Sequence, residues 1–199
     1  MANDALPKQG WSLALVMVLV VVLLAGALFG YDQGVISGAL TGVQQSFHLS
    51  PLLVEVVTSW VTLGALLGSL AGGELADRLG RRRALLVAAA LFAAGAAIEA
   101  LAGGMTTLVA GRLVVGFGVG VAAVAAPLYA AEIAPAAQRG RFVSCYQLAI
   151  TLGIFLSYVV DAALAAGNEW RLMLGVSAVP AVLLLVAMMP AVESPRWLV

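Results

Sequence analysis

An all-α membrane protein, built as a bundle of six transmembrane helices, is what this sequence predicts, on three observations. Apolar residues make up 63% of the 199-residue chain and charged residues only 10%. A soluble domain carries roughly 25% charged residues, so most of this surface faces lipid. Six stretches each hold about 20 or more mostly apolar residues, the length a helix needs to cross a bilayer. The connections between them alternate between basic and nearly free of basic residues.

Taken in order, the spans are Ser12–Leu40, Pro51–Gly72, Ala84–Gly103, Thr106–Ala131, Phe142–Ala162 and Arg171–Met189. The chain therefore divides into a short segment 1–11, a transmembrane lobe 12–190 and a tail 191–199. One set of connections holds Lys8, Arg78, Arg81, Arg82, Arg83, Arg139, Arg141 and Arg196; the other holds only Arg171. Lys and Arg resist translocation, so this bias places the first set, and both termini, in the cytoplasm. An integral protein of the plasma (inner) membrane is expected. The densest charge cluster, Gly73-Glu74-Leu75-Ala76-Asp77-Arg78-Leu79-Gly80-Arg81-Arg82-Arg83, cannot lie in hydrocarbon and is expected to form a tight turn between the second and third spans.

Glycine spacing predicts how the spans pack. Gly26, Gly30, Gly34 and Gly38 recur every four residues in the first span, Gly64, Gly68 and Gly72 in the second, and Gly116 and Gly120 in the fourth. Small residues at i, i+4 leave a groove into which another backbone can come close.

A few residues sit badly in a membrane. Asp32 lies about 12 Å below the outer end of its span and Arg112 about 8 Å below the start of its own, at 1.5 Å per residue. Opposite charges at similar depth should pair, since each alone is costly there. The pair is either a static ion pair or a proton site, in which an acid held charged by its cation is released when the two separate. Gln147, Thr151 and Tyr158 share one face of the fifth span by helical spacing. Gln147 can both donate and accept hydrogen bonds, which suits either a hydroxyl-rich ligand or a neighbouring helix. Glu55, Glu99 and Asp161 lie near outer span ends, where interfacial solvation is expected. His48 is a lone loop histidine, and Trp11, Trp170 and Trp197 read as interface anchors. The basic residues follow topology and do not form a nucleic-acid patch. No nucleophile–base pair, metal-ligand spacing or phosphate loop is evident, so no enzyme, metal or cofactor is expected.

Several segments together resemble the N-terminal half of a sugar porter of the major facilitator superfamily. Gly73–Arg82 is similar to the superfamily's loop between helices two and three, and Phe29-Gly30-Tyr31-Asp32-Gln33-Gly34-Val35-Ile36-Ser37-Gly38 to helix one of sugar porters. Gly111-Arg112 and Pro127-Leu128-Tyr129-Ala130-Ala131-Glu132-Ile133-Ala134-Pro135 resemble helix four and its exit. Arg139-Gly140 and Gln147–Gly153 resemble the next loop and helix five, and Glu193-Ser194-Pro195-Arg196-Trp197-Leu198 the motif after helix six, with Val192 replacing the usual proline.

The resemblance implies one lobe of the major facilitator fold, made of two inverted three-helix units. It implies that Asp32 is the proton-coupling acid and Arg112 its partner, and that Phe29 and Gln147 touch the sugar. It further implies a cytoplasmic gating network of Asp77, Arg78, Arg82, Glu132, Arg139, Glu193 and Arg196. Proton symport is implied over uniport, because family uniporters commonly lack a carboxylate at the position of Asp32. The partners implied are a sugar, a proton, the lipid bilayer, and a missing C-terminal lobe or a second copy. The alternative is a non-transporting membrane module, a receptor, regulator or inert fragment, that keeps the fold.

Overall fold

The computed structural model describes residues 13–194 and Trp197. Lys8, Trp11 and Arg196 lie outside the described residues. Seven α-helices follow one another: α1 Leu13–Phe47, α2 Pro51–Leu79, α3 Arg81–Ala100, α4 Met105–Ile133, α5 Arg139–Leu164, α6 Trp170–Val176 and α7 Ala178–Met188. The last two are halves of one span, so six helical segments are long and apolar enough to cross a membrane. The end of the bundle that carries Gly80 is called the basic end below.

The helices run further than apolarity alone requires. α1 continues seven residues past Leu40 and stops at His48, whose φ of 50° is left-handed. The N–H of Leu49 then reaches back to the carbonyl of Gln44 at 3.1 Å, closing the helix end. His48 thus terminates a helix. α2 starts where Pro51 occupies the first helical turn, a place where its missing N–H costs nothing. It then runs through Gly73–Asp77, which the sequence reading assigned to the turn. The true connection to α3 is the single residue Gly80, with φ 92° and ψ 155°. A side chain there would be strained in φ and would also meet the carboxylate of Glu193.

Glycines decide the helix pairing. The run on α1 faces α5: a Cβ on Gly30 would come within 2.9 Å of the Ile150 backbone, and one on Gly153 within 2.9 Å of Tyr31 N. The run on α2 faces α4, where Gly68 meets the Phe117 backbone and Gly116 meets that of Val61. Backbones therefore touch between α1 and α5 and between α2 and α4, the two most extensive helix contacts among the described residues, and again between α3 and α4 at Gly95, Gly111 and Gly118. Exchanging the first three spans with the last three turns α1·α5 into α4·α2. The packing thus has the pattern of two inverted three-helix units, although no sequence repeat links them.

The buried core falls into two clusters along the bundle. One, toward the basic end, includes Val21, Leu28, Phe92, Val115, Tyr129 and Leu184. The other includes Tyr31, Val35, Ala102, Leu108, Trp170 and Met173. Where the two meet, between Leu28 and Val35 on α1 and between Leu108 and Val115 on α4, the core is polar.

Candidate functional site

The polar layer is made by Asp32 on α1, Arg112 on α4 and Glu99 on α3. Arg112 is fully buried, and Asp32 and Glu99 are 2% and 1% exposed. Arg112 Nη1 donates to Asp32 Oδ1 at 3.0 Å, as their matched depth predicts. Arg112 Nε lies 3.7 Å from Glu99 Oε1, within ion-pair range and beyond hydrogen-bonding distance. Glu99 corrects the sequence reading, which left it solvated at the interface. Its side chain lies over Gly111, where a Cβ would meet Glu99 Cγ at 2.7 Å, so the absence of a side chain at 111 is what admits the acid.

Asp161 is a second correction. It is 7% exposed and lies against Gly38 in the α1·α5 seam, not in the interface. Glu55 is exposed, as expected. In the half of the bundle away from the basic end Tyr31 donates its hydroxyl to the carbonyl of Met173 at 2.9 Å, and Trp170 Nε1 donates to Ser46 Oγ at 2.9 Å. Arg171 stacks over Trp170, 4.2 Å from the ring centre, and donates to the carbonyl of Ala102. Trp170 is therefore a buried packing residue as well as an end-of-span aromatic.

Gln147 and Thr151 are exposed on the α5 face that points away from the seam, whose own residues Ala149, Gly153 and Ser157 are buried. Thr151 donates its hydroxyl to the Gln147 carbonyl at 3.2 Å. The Gln147 amide makes no hydrogen bond to a neighbouring helix among the described residues, so its polarity does not serve interhelical bonding. Phe29 is half-buried against the core cluster of the basic end. An apolar groove of about 330 Å³ lies between α1, α5 and the sixth span, lined by Leu24, Tyr31, Gly153, Val160, Pro180 and Leu183. Its apolar wall offers a hydroxyl-rich ligand no partner. No group of three or more His, Cys, Asp or Glu gathers as a metal site among the described residues.

At the basic end, charge joins the α2–α3 turn, the end of α4 and the segment after α7. Arg81 pairs with Glu132 at 3.0 Å and with Asp77 at 3.1 Å. Ser194 donates its hydroxyl to Glu132. Glu193 accepts the backbone N–H of Arg82 at 3.0 Å, while the Arg82 guanidinium caps α7 by donating to the carbonyls of Met188 and Met189. A cation on the last carbonyls of a helix is where the helix dipole favours it. Two members of the predicted network are corrected. Arg78 points outward and, among the described residues, pairs only with Glu74, one turn earlier on the same exposed face. Arg139 donates to the carbonyl of Ala134 and touches no acid among the described residues. Arg81, which the sequence reading left out, takes the central place because it opens α3 and faces the end of α4. Tyr129 and Trp197 join through main-chain carbonyls, of Val192 at 2.8 Å and Asp77 at 2.7 Å. Bonds to main chain leave no residue pattern to read.

The profile of the family described as "Sugar (and other) transporter" matches residues 18–199. Over 125 residues the chain is 45% identical to the galactose-proton symporter of Escherichia coli, covering 63% of this chain and 27% of that protein. Over 129 residues it is 48% identical to the human proton myo-inositol cotransporter, covering 64% of this chain and 20% of that one. The fold superposes on the proton:xylose symporter XylE bound to 6-bromo-6-deoxy-D-glucose with a TM-score of 0.86 at 32% identity, over 93% of this chain and 46% of that one. The inward-open structure of the xylose transporter XylE from E. coli gives 0.83 at 33% identity, over 92% of this chain and half of the other. The chain thus spans about half the length of the solved transporters it matches.

Proposed function

Because this chain belongs to the sugar (and other) transporter family, we propose that it forms one six-helix lobe of a proton-coupled sugar transporter working by alternating access. The observation that carries the reading is the Asp32–Arg112 pair, buried at 3.0 Å in a charged layer between two apolar core clusters. Buried ions in a membrane protein are costly even when paired, and where they persist they commonly mark a functional site. An acid held by a cation on another helix can release that cation when protonated, and the two helices are then free to shift. Proton binding at Asp32 is in this way linked to the relation between α1 and α4.

A second six-helix lobe faces this one across the substrate and supplies the other wall, since alternating access needs two bodies that rock about a shared site. Gln147, exposed and unbonded on α5, offers its amide to the sugar, and Phe29 lies nearby in sequence to the proton site and gives the ring an apolar face. The basic-end network, with Arg81 in the place expected of Arg78, holds the cytoplasmic side closed in one state. The lobe sits in the plasma membrane with both termini inside, as the distribution of Lys and Arg supports.

Asp32→Asn tests the proton reading. In an assembly competent for transport, this variant loses uphill sugar accumulation driven by a proton gradient and keeps sugar exchange between the two sides. Accumulation at the level of the parent protein would reduce Asp32 to a packing residue. Gln147→Ala is expected to raise the half-saturating sugar concentration about tenfold, the loss of roughly one good hydrogen bond, with unchanged thermal stability. Unaltered affinity would remove Gln147 from the sugar site.

A further inference from the structure

Two acids converge on one guanidinium in the polar layer, and nothing else charged among the described residues reaches it. Asp32 comes from α1, Glu99 from α3 and Arg112 from α4. Among the described residues their ionic contacts are with one another alone, and α2, α5 and the sixth span bring no ionisable partner to them. Tyr31, the neighbour of Asp32, turns its hydroxyl to the Met173 carbonyl, and Asp161 lies further along the seam against Gly38. With both acids ionised the cluster carries one net negative charge with almost no exposure to water. With one proton it is neutral.

The geometry says which acid has the proton. Each acid has a buried oxygen without a hydrogen-bond partner, Asp32 Oδ2 and Glu99 Oε1, but Asp32 also holds a charge-assisted hydrogen bond from Arg112 on Oδ1, whereas the Glu99 carboxyl holds none among the described residues. An ionised oxygen left without a donor is far more costly to bury than a neutral carboxyl. Yet Glu99 is already within 3.7 Å of Arg112 Nε, a nitrogen that is itself unpartnered.

We propose that Glu99 is a second seat for the proton, so that the cluster keeps one proton shared between two carboxyls while Arg112 neutralises whichever is empty. In the state described here Asp32 is the carboxylate and Glu99 the acid. When the proton passes from Glu99 to Asp32, the O–H of Glu99 breaks, one O–H bond forms on Asp32, and Arg112 turns its Nε to the new Glu99 carboxylate. The guanidinium is never left bare, so protonating Asp32 frees α1 from α4 without stranding a buried cation. Glu99 acts through Arg112 as a positioning residue. This deepens the reading of Asp32 as the proton site and rests on it.

The test uses infrared spectroscopy of the whole chain, reconstituted in lipid near neutral pH, with and without ¹³C-labelled glutamate. The other described glutamates are exposed or already bonded as carboxylates, so a protonated-carboxyl band that moves with the label belongs to Glu99. The unsubstituted protein is expected to show this band. In Asp32→Asn, where the amide mimics the protonated acid, Arg112 turns to Glu99 and the band is expected to vanish. Absence of the band in the unsubstituted protein, which needs no variant to fold, overturns the proposal, as does its persistence in a folded Asp32→Asn. If the band behaves as expected but Asp32→Asn still accumulates sugar uphill, the shared proton stands as a packing device and the transport role of Asp32 fails instead.

Discussion

Arg78 and Arg81 lie three residues apart on either side of Gly80, at the end of α2 and the start of α3, and meet opposite fates. The Arg78–Glu74 pair is three-quarters exposed on the arginine side, and such pairs contribute about 0–1 kcal/mol. Arg81 and Glu132 are 12% and 6% exposed in their side chains. Removing one partner of a largely buried pair strands the other and costs a few kcal/mol. Arg81→Gln is therefore expected to lower stability by about 2–3 kcal/mol, and Arg78→Gln by no more than about 0.5 kcal/mol. Thermal unfolding in detergent compares the two directly, and equal losses would contradict the assignment. Glycines divide in the same way. Gly30→Ala drives a methyl into the Ile150 backbone and should cost about 1–3 kcal/mol as overpacking. Gly73→Ala meets nothing within 4 Å inside a helix and should gain about 0.5–1 kcal/mol. At this scale the sequence was legible where depth alone decided contact, as for Asp32 with Arg112. It misled at Glu99, which lies one residue from the end of α3 yet is sealed in. The reason is lateral: Gly111 lets α3 close on α4, and Arg171 ties down Ala102 just beyond the helix end.

The sixth span is two helices because of one proline. Pro180 has no N–H to offer the carbonyl of Val176, four residues back. The chain responds at Ser177, whose N–H and hydroxyl both turn to the carbonyl of Leu174, at 3.2 and 2.5 Å. Apolarity alone predicted a single span here, since hydropathy does not register a lost backbone bond. Pro180→Ala should restore that bond and join α6 to α7. Amide hydrogen exchange at residues 177–180 is the measurement, and slower exchange than in the parent is the expected result. Exchange that stays equally fast would place the cause of the break elsewhere. Helix ends were less legible than helix middles for a related reason. α1 and α2 both continue past the apolar stretch, because a helix stops where its last carbonyls find partners, at His48 or Gly80, and not where the lipid does.

Across the whole molecule, six spans and close-packed glycine faces were readable because their periods are local. Which helix each face meets was not, since both seams join spans distant in sequence. One lobe has one wall, so single copies of this chain in liposomes are expected to show no saturable, proton-driven sugar uptake at a protein-to-lipid ratio that isolates them. Uptake by verified monomers would require a pathway among the six spans themselves. Gly80 bears on how such a lobe would move. A connection of one residue spans at most about 3.5 Å beyond its neighbours, so α2 and α3 are coupled with almost no slack. The same point is bolted sideways, through the Arg82 N–H to Glu193 and through the Asp77 carbonyl to Trp197. A tilt of α2 is thereby geared to the chain that follows the sixth span, and neither can swing by more than a few ångströms until that coupling is undone.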